Sequence, residues 1–408
     1  MPDGVSTTAR PKDHRWRAMG LLATAELLAM SLWFGVSAVG PHVQREWGLD
    51  SPALASLTLA VQLGFVAGTL TSATLNLPDV FRPRYLVALS ALLGAAVNAI
   101  FATHAHGLGE GLALRFLTGF FLAGVYPPGM KIMASWFLER RGLALGVLVG
   151  ALTLGKAAPY VINAIGSDAW RANVLAASVL AAAGGLLVLL VGEGPHARPS
   201  APFDIHQVTA IFRNRAVRLA SFGYFGHMWE LYAMWTWIPA MLRASVGASG
   251  TSSRVAEIGS FVVIGAGALG CVLAGLWADR FGRTLVTSVA MLVSGSCCLF
   301  IGLTFEWPLL LLPVAAIWGA SVVADSAQFS ACVTEAGDPR YIGTALTMQT
   351  CIGFLLTIGS IELVPVVVEL VGWRWAFAVL APGPVLGTLA MLRLRAHPAS
   401  LAIARGKR

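Results

Sequence analysis

The sequence predicts an all-α membrane protein with twelve transmembrane helices in two similar six-helix halves around a central cavity. Three observations carry this. Of 408 residues, 57% are hydrophobic and only 12% are charged, whereas a soluble domain carries about 25% charged residues. Apolar runs of about 20 residues, the length that crosses roughly 30 Å of hydrocarbon, recur along the chain. Finally, ELLAMSLW (Glu26 to Trp33) returns as ELYAMWTW (Glu230 to Trp237), with five of eight positions identical and half the chain between them.

Polar breaks divide the chain into spans at about 18–41, 53–75, 84–104, 108–134, 141–165, 171–192, 218–242, 254–278, 284–304, 307–334, 341–369 and 373–394. Span one is too long for a removed signal peptide and lacks a small-residue cleavage site. The 44 glycines suit helices that approach closely in lipid. Of the 28 Lys and Arg residues, 20 fall in the two tails and the loops on their side of the membrane, and 5 in the opposite loops. The bias predicts that both termini are cytoplasmic. It also accounts for the net charge of +8 without nucleic-acid binding. The longest break is EGPHARPSAPFDIHQVTAIFRNRAVR, Glu193 to Arg218. Its Pro-rich start reads as a linker, and FDIHQVTAIFRN as a short amphipathic helix on the inner surface. The chain therefore divides into an N-terminal bundle (1–192), a cytoplasmic linker (193–217) and a C-terminal bundle (218–408). The octamer falls in the first span of each bundle, as a duplication requires.

The five cysteines, Cys271, Cys297, Cys298, Cys332 and Cys351, all lie in apolar segments of the second half. They read as small buried hydrophobes rather than a disulfide framework. No Cys/His spacing suggests a metal, no G-x-x-x-x-G-K-[ST] loop suggests ATP hydrolysis, and no catalytic constellation is visible. The reading is of a non-enzymatic protein that needs no cofactor.

Between spans eight and nine stands GLWADRFGRT, Gly275 to Thr284. Gly275 permits close helix approach, and Asp279 can accept hydrogen bonds at a helix end. Arg280 and Arg283 supply cytoplasmic charge, with Gly282 between them. With six plus six spans and a basic central loop, the chain resembles the major facilitator superfamily, whose loop motif G-x-x-x-D-R-x-G-R-[RK] this segment matches up to Thr284. The resemblance implies that Gly275, Asp279, Arg280, Gly282 and Arg283 latch the inner gate. The corresponding loop of the first half is stretched, keeping Gly68, Asp79, Arg82 and Arg84. RFLTGFFLAGVYPP in span four is similar to the superfamily's Arg-bearing fourth-helix motif, so Arg115 is expected to serve gating or coupling. GALTLGKAAPYVIN in span five keeps Gly150, Gly155 and Pro159 but lacks the Gly-Pro pair of many drug exporters.

An ionisable side chain in mid-bilayer is costly unless it faces protein, water or a partner, which makes each one a functional candidate. Glu26, Lys156, Glu230 and Asp325 lie in the middle half of their spans. Arg115 and Glu362 lie toward the outer side, and Lys131 toward the inner end, where it can snorkel to the loop charges. The resemblance implies that spans one and seven line the cavity as symmetry mates, so Glu26 and Glu230 would face one another across it. Each is either a proton carrier or a structural carboxylate paired to Arg115 or Lys156. Lys156 is either their counter-ion or the anchor of an anionic substrate. Asp325, with Ser326, Gln328 and Ser330, suggests a water-facing stripe.

Span seven, FGYFGHMWELYAMWTWIP, is rich in aromatics too deep to be an interface belt. Tyr224, His227, Glu230 and Met234 follow one helical track, with Trp229, Tyr232, Trp235 and Trp237 on other faces. His227 is either a proton partner of Glu230 or a hydrogen-bonded bystander. Trp33, Gln62, Tyr126 and Trp229 complete the expected cavity lining.

These readings converge on a proton-linked secondary transporter of the inner membrane, moving a small anionic solute and acting as a monomer. YPPGMKIMASWF, from Tyr126, and the ERRG loop at Glu139 are similar to bacterial nitrate, cyanate and organic-anion carriers. Nitrate carriers use arginines in spans two and eight, and neither span has one within its apolar run, which argues against nitrate itself. The alternative is a drug/proton antiporter, in which Glu26, Glu230 and Asp325 with the aromatics would hold lipophilic cations.

Overall fold

The protein is described by a computed structural model over residues 11–165, 169–197, 203–250 and 252–408. Residues 198–202 of the predicted Pro-rich linker lie outside the described residues. Every regular element described is a helix. Ten helices are long and apolar enough to cross a membrane, among them Ser51–Thr74, Arg141–Ile165, Arg254–Phe281 and Ile342–Val371. The two further predicted spans, one and seven, are helical over Pro11–Met30 with Gly35–Ala38, and over Arg215–Ala248. They fall short of the apolar criterion because they carry the charges and polar aromatics of the repeated octamer. Large side chains such as Leu89, Val179, Leu269, Leu309 and Leu370 are left exposed around the outside. A helix satisfies its own backbone in lipid, so an apolar exterior is compatible with that environment.

Three spans are broken in mid-course. Span one loses its regular ladder at Ser31 to Phe34. Span four breaks at Ala123 to Val125, between Leu108–Leu122 and Tyr126–Trp136. Span ten breaks at Val323 to Asp325, between Pro308–Val322 and Ser326–Ala336. Spans four and ten occupy corresponding places in the two halves, so the duplication extends to backbone irregularities.

Helix contacts repeat in the same way, and glycine explains why. A methyl group at Gly119 in span four would overlap the Val61 carbonyl of span two. One at Gly319 in span ten would overlap the Val263 carbonyl of span eight. Small residues let backbones touch where lipid supplies no hydrophobic drive between helices.

The two halves meet along two seams. Span five lies against span eight through Gly146, whose Cβ would sit 2.5 Å from the Cys271 carbonyl, and Gly150, 2.9 Å from that of Ala268. Span two meets span eleven, where the Thr357 hydroxyl donates to Gln62. The central segment contributes a short helix, Val208–Arg213, six residues of the predicted amphipathic stretch. The Asp204 amide that precedes it donates to Thr344 Oγ1 at 3.0 Å, tying the segment to the start of span eleven.

Candidate functional site

A cavity of about 900 Å³ lies between the halves. Its mouth is bordered by Asn76 to Pro83, by Glu193, His196 and Phe203, and by Thr334 to Leu346. This is the end that bears the chain termini and the central loop. The charged wall residues Asp79, Arg82, Lys131, Arg141, Glu193 and Glu335 all border this mouth or stand near it. At mid-depth Lys156 is the charged side chain on the wall.

Lys156 is 2% exposed. Its ammonium donates to Tyr232 Oη at 2.5 Å. It lies 3.9 Å from the ring centroid of Trp33, 4.7 Å from Tyr232 and 5.2 Å from Trp235. Span five carries the cation; the ring faces come from spans one and seven, so both halves build the box. A desolvated cation over ring faces gains about 2 kcal/mol or more from the quadrupole, which helps a lysine to exist here. Phe65 and Phe354 extend the wall, their centroids 4.7 Å apart, with Trp33 and Tyr232 packed on the same cluster. The indole N–H groups of Trp33 and Trp235 find no acceptor among the described residues. Lys156 and two indole donors thus offer a donor-rich, ring-lined pocket.

Arg115 sets Trp33 in place. The break in span one removes its carbonyls from the helical ladder, and buried carbonyls need donors. Arg115 donates to the Leu32 carbonyl at 3.1 Å through both terminal nitrogens, to the Trp33 carbonyl at 2.5 Å, and to Asn98 Oδ1 at 3.1 Å. Asn98 in turn donates to Val174 and Ser178 of span six.

The two octamer acids occupy different surroundings, and neither lines the cavity. Glu26 is 1% exposed, its carboxylate against Gly129 of span four, and neither oxygen accepts a hydrogen bond from the described residues. The charge acting on it is Lys156. Glu230 accepts from Trp318 Nε1 at 2.5 Å, Ser294 Oγ at 2.9 Å and Cys298 Sγ at 3.1 Å. It faces spans nine and ten inside its own half rather than Glu26 across the cavity. A buried carboxylate goes where donors are, and spans nine and ten supply three.

The predicted stripe of span ten also turns away from the wall. Asp325 lies against His227, Oδ1 to Nδ1 2.9 Å, both side chains 2% exposed or less. Gln328 accepts from Arg283 at 2.7 Å. Ser326 and Ser330 are the members of that stripe that reach the cavity. Gln62 sits on the seam with span eleven, and Trp229 donates to the Val379 carbonyl at 3.3 Å, so neither lines the cavity. Of the expected lining, Trp33, Tyr126 and Lys156 are on the wall. Lys131 reaches Asp79 at 2.5 Å and the Pro78 carbonyl. Glu362 is exposed.

The wall residues that sequence reasoning passed over are Phe65, Tyr232, Trp235 and Phe354. The signal was present. Tyr224, Met228, Leu231, Tyr232 and Trp235 line the cavity at i, i+4, i+7, i+8 and i+11, one face of a helix. The track through His227 and Glu230 is the adjacent face.

The loop motif is assembled across the halves. Asp279 accepts from the Gly142 and Leu143 amides at 3.3 and 3.2 Å, at the start of span five, where unpaired N–H groups and the helix dipole favour an anion. Gly275 packs beside Gly142. Gly282 has φ of +98°, in the region that favours glycine, and a side chain there would meet the Arg408 carbonyl. The two arginines part company. Arg280 is exposed, whereas Arg283 is buried and grips Glu335 at 2.7 and 3.0 Å. Arg283 is therefore no surface charge, because Glu335 and Gln328 satisfy it inside.

The profile of the Major Facilitator Superfamily matches residues 21–361. Similar curated proteins include a gallate transporter of Pseudomonas putida, 26% identical over 94% of this chain and 90% of that one. The 4-hydroxybenzoate transporter PcaK of Pseudomonas aeruginosa is 25% identical over 63% of this chain and 64% of its own. Among solved structures, the proton:xylose symporter XylE superposes with a TM-score of 0.74 at 14% identity, covering 94% of this chain and 96% of that one. The human organic anion transporter MFSD10 gives 0.70 at 18% identity, covering 94% and 100%. With a family match over most of its length and transporters as its relatives, the chain belongs to the major facilitator superfamily and is a membrane transporter.

Proposed function

We propose that the protein carries a small aromatic carboxylate across the membrane by alternating access, coupled to protons. The observation that carries this reading is Lys156, a buried ammonium at mid-depth in a cavity walled by aromatic rings. A benzoate-sized ring stacks against Trp33, Phe65 and Phe354, and its carboxylate takes the ammonium. The present partners of Lys156 are ring faces and a phenol oxygen, and a charge-assisted hydrogen bond to a carboxylate is roughly twice as strong as a neutral one. Gallate and 4-hydroxybenzoate, the solutes named for the two bacterial relatives, have this chemistry.

Glu26 is the coupling acid in this reading, with Lys156 as the charge that acts on it. With no substrate bound, Glu26 balances the lysine. When a substrate carboxylate takes the lysine over, Glu26 binds a proton rather than stay a lone buried anion. Arg115 supports the site by holding Trp33, and Glu230 anchors span seven to spans nine and ten. The Lys/Arg bias puts the mouth and both termini in the cytoplasm of the inner membrane, and the protein works as a monomer. The competing drug/proton antiporter needs acids on the wall, where Glu26, Glu230 and Asp325 are absent.

The test is binding and uptake with purified protein. Benzoate and 4-hydroxybenzoate are expected to raise the melting temperature, whereas benzamide and tetraphenylphosphonium leave it unchanged. In proteoliposomes an imposed pH difference drives labelled benzoate uptake, and Lys156→Gln abolishes both responses. Stabilisation by tetraphenylphosphonium that survives Lys156→Gln overturns the reading in favour of cation export.

A further inference from the structure

A second buried acid lies one side-chain layer behind the wall. His227 and Asp325 meet at 2.9 Å between Nδ1 and Oδ1. Two such atoms at that separation require a hydrogen between them. The other ring nitrogen, Nε2, has no partner among the described residues, and the ring is flanked by Tyr224 and Phe329 at 5.9 and 5.5 Å between centroids. Nε2 is therefore the atom free to gain or lose a proton. Gain makes the pair a neutral imidazolium–carboxylate unit. Loss leaves one buried net negative charge, which is costly without further donors.

The carboxylate has an alternative position close at hand. Asp325 ends the break in span ten and stands at the N-cap of Ser326–Ala336, yet its side chain makes no cap bond and its φ and ψ of −85° and −15° are helical. An Asp at an N-cap ordinarily has extended backbone and accepts from the first free amides. Moving from His227 to those amides thus requires Val323 to Asp325 to change conformation. The neighbours of the pair are on the cavity wall: Met228 beside His227, Val323 and Ser326 beside Asp325. A change in this bend is a change in the wall.

We infer that His227 and Asp325 form a proton-binding site of the C-terminal half, separate from Glu26, whose state sets the bend of span ten at Val323 to Asp325. Protonated on Nε2, the imidazolium holds the carboxylate and the bend seen here. Deprotonated, it releases the carboxylate toward the cap amides. Other titratable groups around the pair are Tyr224 and Glu230 on span seven, Cys271 on span eight, where its thiol donates to the Val323 carbonyl at 3.3 Å, and Cys351 on span eleven. Arg283 reaches span ten through Gln328, and Thr153 of span five reaches Cys271.

The transport role of this site rests on the proton-coupled reading above, so its test has one arm that needs no substrate. Hydrogen–deuterium exchange over 318–334 is measured from pH 5 to 9, corrected for intrinsic rates, in wild type, His227→Gln, His227→Lys and Glu230→Gln. Wild type is expected to show protection that falls as pH rises. His227→Gln loses the pH dependence, and His227→Lys keeps the low-pH pattern throughout. In proteoliposomes, a 1:1 symporter accumulates benzoate about ten-fold per unit of imposed pH difference. Both His227 variants are expected to lose that accumulation while keeping benzoate counterflow, which needs no net proton movement.

Wild-type protection independent of pH, or pH dependence that survives both His227 variants and vanishes in Glu230→Gln, overturns the inference. So does a His227→Lys protein that accumulates benzoate like wild type, or one that folds and loses counterflow too. If His227→Gln fails to fold, Asp325→Asn and His227→Lys decide. If wild type moves no benzoate, the substrate reading fails, and the exchange arm still decides the site.

Discussion

At the scale of single residues, the site turns on two buried cations with different tasks. Lys156 has ring faces and one phenol oxygen around it, so it can take on a stronger acceptor. Lys156→Gln is expected to cost carboxylate affinity about 2–5 kcal/mol, the usual cost of truncating one partner of a buried charge pair. Isothermal titration with benzoate measures it, and a loss below ten-fold would remove Lys156 from the site. Arg115 is already committed to the carbonyls of Leu32 and Trp33 and to Asn98. Arg115→Gln strands buried carbonyls, and a destabilisation of about 3–5 kcal/mol is expected, as for other broken buried charge networks. Thermal unfolding in detergent checks this. Unchanged stability with lost transport would make Arg115 a coupling residue instead.

Both residues were legible as candidates from the sequence, because a charge inside a 20-residue apolar run stands out. Their partners were not. Nothing in the string GALTLGKAAPYVIN says that Lys156 meets Tyr232, 76 positions on. The fully satisfied state of Glu230 depends on Ser294, Cys298 and Trp318, three unremarkable residues of spans nine and ten.

At the scale of elements, breaks and seams decide what can move. Span five begins with free amides at Gly142 and Leu143, and Asp279 at the end of span eight accepts from them across the halves. Asp279→Asn removes the charge that this helix end favours, a loss of about 0.5–2 kcal/mol. The expected consequence is freer separation of spans five and eight. Modification of a cysteine placed at Leu143 should become faster in Asp279→Asn, and equal rates would deny the latch. The motif made this contact foreseeable in kind, but not its acceptors, since the matching loop of the first half is stretched. The choice of face on span seven was the weaker inference. A histidine and a glutamate drew attention to one track, while the longer aromatic stripe at helical spacing faces the cavity. Hydrophobic periodicity and charge point to different faces when buried polar residues pair within one half.

At the scale of the whole molecule, two seams with an opening between them form a device that can rock. The mouth opens at the end bordered by Asn76 to Pro83 and Thr334 to Leu346, while Gln62 and Thr357 join spans two and eleven beyond it. A disulfide between Gln62→Cys and Thr357→Cys is expected to hold this arrangement. Uptake should stop on oxidation and return with reductant, while benzoate binding from the mouth side persists. Uptake that continues with the disulfide formed would show that this seam stays closed throughout the cycle. The native cysteines are buried, so they leave the engineered pair to react.

The sequence alone determined that the chain is helical and membrane-embedded, that it is duplicated, and which charges are out of place in lipid. Each of those follows from composition, run length or identity along the chain, which need no partner to be read. It determined the superfamily too, because the loop motif is contiguous. The tertiary structure decided which charges meet. Lys156 faces rings of both halves, Glu26 lies behind it, Glu230 is tied to its own half, and Asp325 closes on His227. Such pairings depend on the rotation of each helix about its axis, and that rotation is set by the glycine contacts and broken ladders of neighbouring spans rather than by the helix's own residues.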